Sequence, residues 1–229
     1  MAHEDHLPPR KNNMASAEHD TDPDGAARFW DELYSSREVP WGERTNPLLV
    51  EVVGPLTPGT ALDLGSGSGG DAAWLARRGW RVTAVDIAAS AVAGVREHAV
   101  ASGLADRITA EQHDLPRTFP AGEFDLVSAQ YFHSMFEFPR AEVLRTAAHA
   151  LRPGGLLLVV DHGSIAPWSW NQDPGTHFPT PQEIAADLAL DPARWPVVRA
   201  DMPRRRATGP HGETATVTDN VLVLQRAAG

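Results

Sequence analysis

The sequence contains no cysteine, which excludes disulfides, thiolate metal sites and a cysteine nucleophile. Lysine is nearly missing too: Lys11 stands alone beside 19 arginines, a bias that reads as codon usage and not as chemistry. No apolar run approaches the length of a membrane span. No charged-then-apolar leader opens the chain, so a cytoplasmic location is expected. Positive charge is in deficit, with 20 basic against 30 acidic residues and a formal charge of −10. That balance suits a nucleic-acid partner poorly, because such binding rests on phosphate contacts. What is present is 229 residues, 42% of them hydrophobic, enough for one large domain with a sizeable core, or a domain plus a tail.

The chain is organised around Ala61–Asp71, where an apolar run leads through Asp63 into Gly65-Ser66-Gly67-Ser68-Gly69-Gly70. A helix-like run, Ala72–Arg78, follows and stops at Gly79. The order is strand, tight loop, helix, and free N–H groups at a helix start can bind a negative group. Gly65, Gly67 and Gly70 fit the dinucleotide spacing G-x-G-x-x-G. Asp63, Gly65, Gly67 and Gly69 fit a second spacing, D-x-G-x-G-x-G. A carboxylate two residues before the first glycine suits a ligand bearing an ammonium group and is an awkward neighbour for a pyrophosphate.

Residues 1–24 are polar and read as a flexible tail; His3, His6 and His19 there lack ligand spacing, so no metal is expected. Phe29, Trp30, Leu33 and Tyr34 fall at helical spacing, and Asn46-Pro47 opens a second short helix. Trp41, between them, is either the aromatic wall of a cover over the glycine loop or plain packing. Strands are expected at 60–64, 80–85, 107–112, 124–129 and 156–160, alternating with helices at 71–78, 88–102 and 139–151. Such alternation means a parallel sheet with helices on both faces. Thr180-Pro181-Gln182-Glu183 has the form of a capping box. Residues 195–200 and 216–224 read as a closing antiparallel pair. The expected fold is therefore α/β, a Rossmann-like seven-stranded mostly parallel sheet with a C-terminal antiparallel strand pair, occupying residues 25–229.

Other chemistry sits at the strand ends. Asp86, 23 residues after Asp63, can accept both hydroxyls of a ribose or cap the following helix. Asp114 would be a third carboxylate at a third strand end. Gln130-Tyr131-Phe132-His133 leaves the fourth strand and Asp161-His162 the fifth. His133 and His162 can take a proton from a nucleophile, or be structural histidines bonded to backbone. Trp168 and Trp170 either roof an apolar substrate or pin their own loop. Arg194, Arg199, Arg204, Arg205 and Arg206 form a local basic cluster, a solvated strand end or an anion contact.

Taken together, Asp63–Gly69, Asp86, Asp114-Leu115 and Leu151-Arg152-Pro153-Gly154-Gly155 resemble a class I S-adenosylmethionine (SAM)-dependent methyltransferase. Phe29-Trp30-Asp31, Trp41, Asn46-Pro47 and Gly69-Gly70-Asp71 resemble the small-molecule branch with thiopurine and tellurite-resistance methyltransferases. The resemblance implies that Asp63 with Gly65, Ser66, Gly67 and Gly69 holds the methionine end. Asp86 would hold the ribose, Ile87, Asp114 and Leu115 the adenine, and Gln130 would lie near the methionine. It implies a small-molecule methyl acceptor, but the substrate residues do not carry over from it: Tyr131, Trp168 and Trp170 are candidates only by their place after the strand ends, and the acidic charge and lack of an apolar span are what argue against a nucleic-acid or membrane partner. Two rivals share part of this pattern. An NAD-dependent oxidoreductase keeps the glycines and Asp86 but leaves Asp63 and Asp114 without a purpose. A non-catalytic SAM-binding regulator shares every cofactor residue but has no need of His133 and His162.

Overall fold

The computed structural model describes residues 25–36, 41–134, 136–169, 171–209 and 211–228. The expected tail and Trp170 lie outside these residues. Two helices precede the sheet, α1 (Gly25–Ser35) and α2 (Pro47–Val53). Then follow β1 (Thr60–Leu64), α3 (Gly70–Arg77), β2 (Arg81–Asp86), α4 (Ala89–Ala101), β3 (Ile108–Gln112), β4 (Phe124–Gln130), α5 (Arg140–His149) and β5 (Leu151–His162). The chain ends with α6 (Pro181–Leu188), β6 (Val197–Asp201), β7 (Arg204–Thr208) and β8 (Thr214–Gln225).

Seven strands run in the order β3-β2-β1-β4-β5-β8-β6. The first five are parallel, and β8 lies antiparallel between β5 and β6. The Rossmann-like sheet with a closing antiparallel pair is thus present. Beyond expectation, Arg204–Thr208 adds a strand, β7, that pairs only with the outer part of β8. Three arginines in a row hid it, because alternation of apolar and polar residues is the usual strand signal.

Each sheet face carries its own core. Leu48, Leu49 and Val53 of α2, Leu75 of α3 and Val92 and Val95 of α4 pack on one side. Leu144 and Ala147 of α5, with Ile184 and Leu188 of α6, pack on the other. The helices obey local rules. Asn46 caps α2 by accepting from the Leu48 N–H at 2.9 Å. Thr180 and Glu183 complete the capping box of α6. Helix α4 has no cap of its own; Asp31 of α1 takes over, accepting from the Ser90 N–H at 2.7 Å. That bond holds the Asp31 carboxyl below the ordinary carboxylate range.

The segment between α1 and α2 crosses the glycine loop closely. The Gly42 N–H donates to the Ser68 carbonyl at 2.8 Å. A Cβ on Gly70 would stand 1.6 Å from the Arg44 carbonyl oxygen. Here the need for glycine is a close approach of two backbones, which cannot yield as a side chain can. Gly70→Ala is expected to destabilise the fold by about 2–3 kcal/mol through this overpacking. A thermal melt checks it; an unchanged midpoint would show that the 41–46 segment lifts away freely.

Candidate active site

Parallel pairing sets the ends of β1, β2 and β3 side by side. Asp63 is paired in register with Ala84 and Ser128, and Asp86 with Gln112. Asp114 lies two residues past that last rung, and the His113 N–H donates back to the Asp86 carbonyl at 2.9 Å. The three carboxylates therefore meet along one carboxyl-end edge of the sheet, where ligands bind in open α/β folds.

Their environments differ. Asp63 is 3% exposed, and its Oδ2 has no hydrogen-bond partner among the described residues. Its carboxyl is held well above the ordinary carboxylate range, first by burial and then by the nearby charges of Asp71 and Asp86. A bond from the Ala72 N–H, at the start of α3, opposes this. Burial likewise raises the pKa of Asp86, against bonds from Ala88 and Gly67. Asp86 accepts from the Gly67 N–H at 2.9 Å and from the Ala88 N–H at 3.0 Å. It ties the glycine loop to the residue just ahead of α4, and each carboxylate oxygen keeps a lone pair beyond these two bonds. Asp114 is more open and pairs with Arg117 at 3.1 Å. Ser66 brings a second buried oxygen, its Oγ, with no partner among the described residues.

Gln130 and Asn46 form the floor. The Asn46 side chain donates to Gln130 Oε1 at 2.8 Å, and Gln130 donates to Ser128 Oγ at 3.0 Å. The Asn46 N–H donates to Asp71 Oδ1 at 2.7 Å. Gln130 is thus fixed in a buried network joining α2, α3 and β4. Asn46 and Asp71 were visible in the sequence only as a cap and a first-turn acid. Their coupling across the site needs the tertiary structure.

Trp41 lies against Gly94 of α4, where a Cβ would meet its ring at 2.4 Å, and its ring centroid is 6.1 Å from that of Tyr34. Of the two readings offered for Trp41, packing on α4 is the one these contacts support. Tyr34, which was read only as part of an apolar face, places its hydroxyl 2.6 Å from where a Gly67 Cβ would stand. Phe132 does the same at Gly65, at 2.9 Å. The glycine loop is therefore lined by one ring from α1 and one from the segment after β4. Phe29 meets Phe136 with centroids 5.6 Å apart, so the two walls touch. Ile87 and Leu115 are both partly buried beside the β2 and β3 ends.

At the β4 and β5 ends, the rings of His133 and His162 stand 5.5 Å apart, edge to face. His133 keeps its outer edge in solvent while protein crowds the rest of the ring. That crowding, then the charges of His162 and Arg140, pushes its pKa below the ordinary imidazole value. The ring is neutral near pH 7. Arg140, at the start of α5, forks onto Asp161 at 2.8 and 2.6 Å and donates to the Phe132 carbonyl at 2.6 Å. Burial still raises the Asp161 pKa, with Arg140 opposing.

Trp168 and the basic cluster both find partners within the protein. Trp168 packs with Ala166, Ala207 and Val217 over the β7–β8 hairpin, which favours its loop-pinning reading. The basic cluster disperses. Arg199 pairs with Glu51 at 2.9 Å and Asp201 at 2.7 Å, Arg194 lies over the Trp195 ring, and Arg205 is drawn inward to Asp219.

Comparison with known proteins fits this geometry. Residues 61–155 match the model of a methyltransferase domain. The chain is 33% identical over 147 residues to the ribosomal RNA small subunit methyltransferase C of Alcanivorax borkumensis, covering 62% of this chain and 42% of that one. It is 33% identical over 123 residues to methyltransferase GfsG of Streptomyces halstedii, covering 52% and 44%. The chain thus spans under half the length of these two relatives. Among solved structures, one described under the conversion of a disulfide bond into a thioacetal group during echinomycin biosynthesis superposes with a TM-score of 0.66. The two are 24% identical, with 89% of this chain and 94% of that one covered. TehB from Haemophilus influenzae follows at 0.60, 14% identical, with 86% and 67% covered. The family match is thus to a methyltransferase domain over residues 61–155, and the likeness of fold across the rest of the chain extends to TehB.

Proposed function

We propose that this chain transfers the methyl group of SAM to a small-molecule nucleophile and releases S-adenosylhomocysteine. The observation that carries the reading is the orphaned Oδ2 of Asp63, buried beside Asp71 and Asp86. A buried carboxylate without a partner is costly unless something cationic pairs with it. Three acidic groups around one glycine loop repel the two phosphates of a dinucleotide and attract an ammonium and a sulfonium. That is the argument against the NAD reading.

SAM bound there supplies an activated methyl carbon. The chain's residues do the rest. Asp63 and Ser66 would hold the amino-acid end, and Gly65, Gly67 and Gly69 would let it lie close to the loop. Asp86 would take the ribose hydroxyls and Asp114, with Ile87 and Leu115, the adenine. Gln130 holds the floor rigid through Asn46 and Asp71. Tyr34 and Phe132 narrow the space above, so that acceptor and methyl donor meet in a confined geometry; alignment of this kind accounts for much of the rate in such reactions. His133 and His162 stand where a hydroxyl acceptor would lose its proton. A thiolate or other anion would need neither. Residues 25–229 act as one methyltransferase domain in this reading, and the location is cytoplasmic. Among the described residues no helix is long and apolar enough to cross a membrane. The net charge of −10 and the dispersed arginines favour a small acceptor over a nucleic acid.

The test is release of S-adenosylhomocysteine against a panel of thiols, phenols, amines and metalloid anions. Activity with one class supports the reading; SAM binding with no turnover on any class would favour the regulatory rival. With a hydroxyl acceptor, His133→Ala should lower turnover by about a hundredfold and leave SAM affinity within about twofold. An unchanged turnover number removes His133 from the mechanism.

A further inference from the structure

The first residue past β4 is Tyr131, with φ at +51°. It is one of two non-glycine residues with positive φ among the described residues. Such a backbone is costly for a side chain with a Cβ and persists only where the surroundings enforce it. They do so from three directions. The Tyr131 N–H donates to the Val160 carbonyl at 2.7 Å, extending the β4–β5 ladder by one bond. The Tyr131 hydroxyl donates to Asp219 Oδ1 at 3.0 Å and accepts from Arg205 Nη2 at 3.1 Å. Arg205 Nε bonds Asp219 Oδ2 at 2.5 Å, and the Asp219 side chain is wholly buried.

The side-chain bonds lie outside the sheet's own backbone ladder. A buried ion pair is no better for stability than well-packed apolar residues of the same volume. What the arrangement reaches is the histidine pair. The Tyr131 ring stacks on His162, with centroids 4.2 Å apart and planes 20° from parallel. The Tyr131 carbonyl accepts from the His133 N–H at 3.0 Å. His162 and Asp219 are register partners across β5 and β8, so the anchor and the ring it steadies sit on the same rung. Both strand-end histidines are thus attached to one residue, and that residue is fixed by β7 and β8, outside the part of the chain that matches the methyltransferase domain.

We infer that Tyr131, clamped by Arg205 and Asp219, is the positioning residue that sets where His133 and His162 stand at the acceptor mouth. The inference rests on the reading of that mouth given above. Among the described residues, the charged and titratable groups around the pair include Asp161 on β5, Arg140 on α5, Arg205 on β7 and Asp219 on β8. Burial and the Asp219 charge drive the Tyr131 pKa up, with Arg205 opposing, so the phenol keeps its proton and stays a donor to Asp219. It acts through the histidines and not as an acid or base itself.

The test is a pH titration of isotope-labelled histidine side chains by NMR in the full chain, wild type against Tyr131→Phe and Arg205→Lys. Tyr131→Phe keeps the ring and removes the hydroxyl. Arg205→Lys keeps a charge on Asp219 and removes the fork that also reaches the phenol. Both should move the His133 midpoint by at least about half a unit toward the ordinary imidazole value, as the ring gains solvent. SAM affinity should stay within about twofold. Curves that superimpose on wild type in both variants overturn the inference. So does a Tyr131→Phe chain that fails to fold while Arg205→Lys titrates as wild type, since the phenol would then be a packing residue only. Failure of the methyltransferase reading shows separately, as absent SAM binding in the wild type.

Discussion

Asp63→Asn should weaken SAM binding by about a hundredfold, ~2.7 kcal/mol, while leaving the unliganded protein as stable as wild type or more so. The two halves of this expectation have one cause. In the unliganded chain the Asp63 carboxyl is buried, its Oδ2 has no partner among the described residues, and Asp71 and Asp86 repel it. Asparagine keeps the shape and removes the charge. The ligand loses its counter-charge, and the free protein loses a repulsion. The pH dependence follows in sign. A folded-state pKa above the unfolded one means that the folded chain binds the proton more tightly. Stability is then full below the unfolded value near 3.8 and falls as pH rises through the folded value. The wild type should lose stability over that rise, and the variant should lose less. Calorimetric binding and melts across a pH series read both effects. A variant that binds SAM as tightly as wild type would remove Asp63 from the site.

Arg140→Met carries the second large effect, in the opposite direction for stability. It leaves Asp161, 8% exposed, as a buried carboxylate without its fork and takes the donor from the Phe132 carbonyl. Removing one partner of a buried pair costs about 3–5 kcal/mol, roughly 6–20 °C in melting temperature for a chain of this size. Burial already raises the Asp161 pKa and Arg140 restrains the rise. Without the arginine it climbs further, so Asp161 protonates sooner as pH falls. The gap between variant and wild type should be wide near neutral pH and narrow as acid neutralises Asp161. A gap that does not change with pH would mean that the loss comes from packing at the head of α5 and not from an exposed charge imbalance.

The glycine loop and the three strand-end carboxylates were legible because each is a local pattern whose spacing follows from strand, turn and helix geometry. Strand β1 and the rungs beside it appear where alternation and the apolar run before Asp63 place them. The parallel sheet was legible because strands alternate with helices along the chain. Contacts between distant segments were not legible. Trp41 carries no mark in the sequence that it will lie on Gly94, and Asn46 none that it will bond both Asp71, 25 residues on, and Gln130, 84 residues on. Arg205 sits in a run of three arginines and looks as solvated as its neighbours. Only the pairing of β7 with β8 shows that its side chain turns inward to Asp219. The histidine pair was found by strand ends alone; the tyrosine that fixes it was read as a substrate contact.

If this edge of the sheet is built for a cation, calorimetry with SAM and with NAD on the same protein sample will tell the two ligands apart. SAM should bind with a dissociation constant of about a micromolar to tens of micromolar, and NAD should give no binding heat. Saturable NAD binding with SAM silent would contradict it.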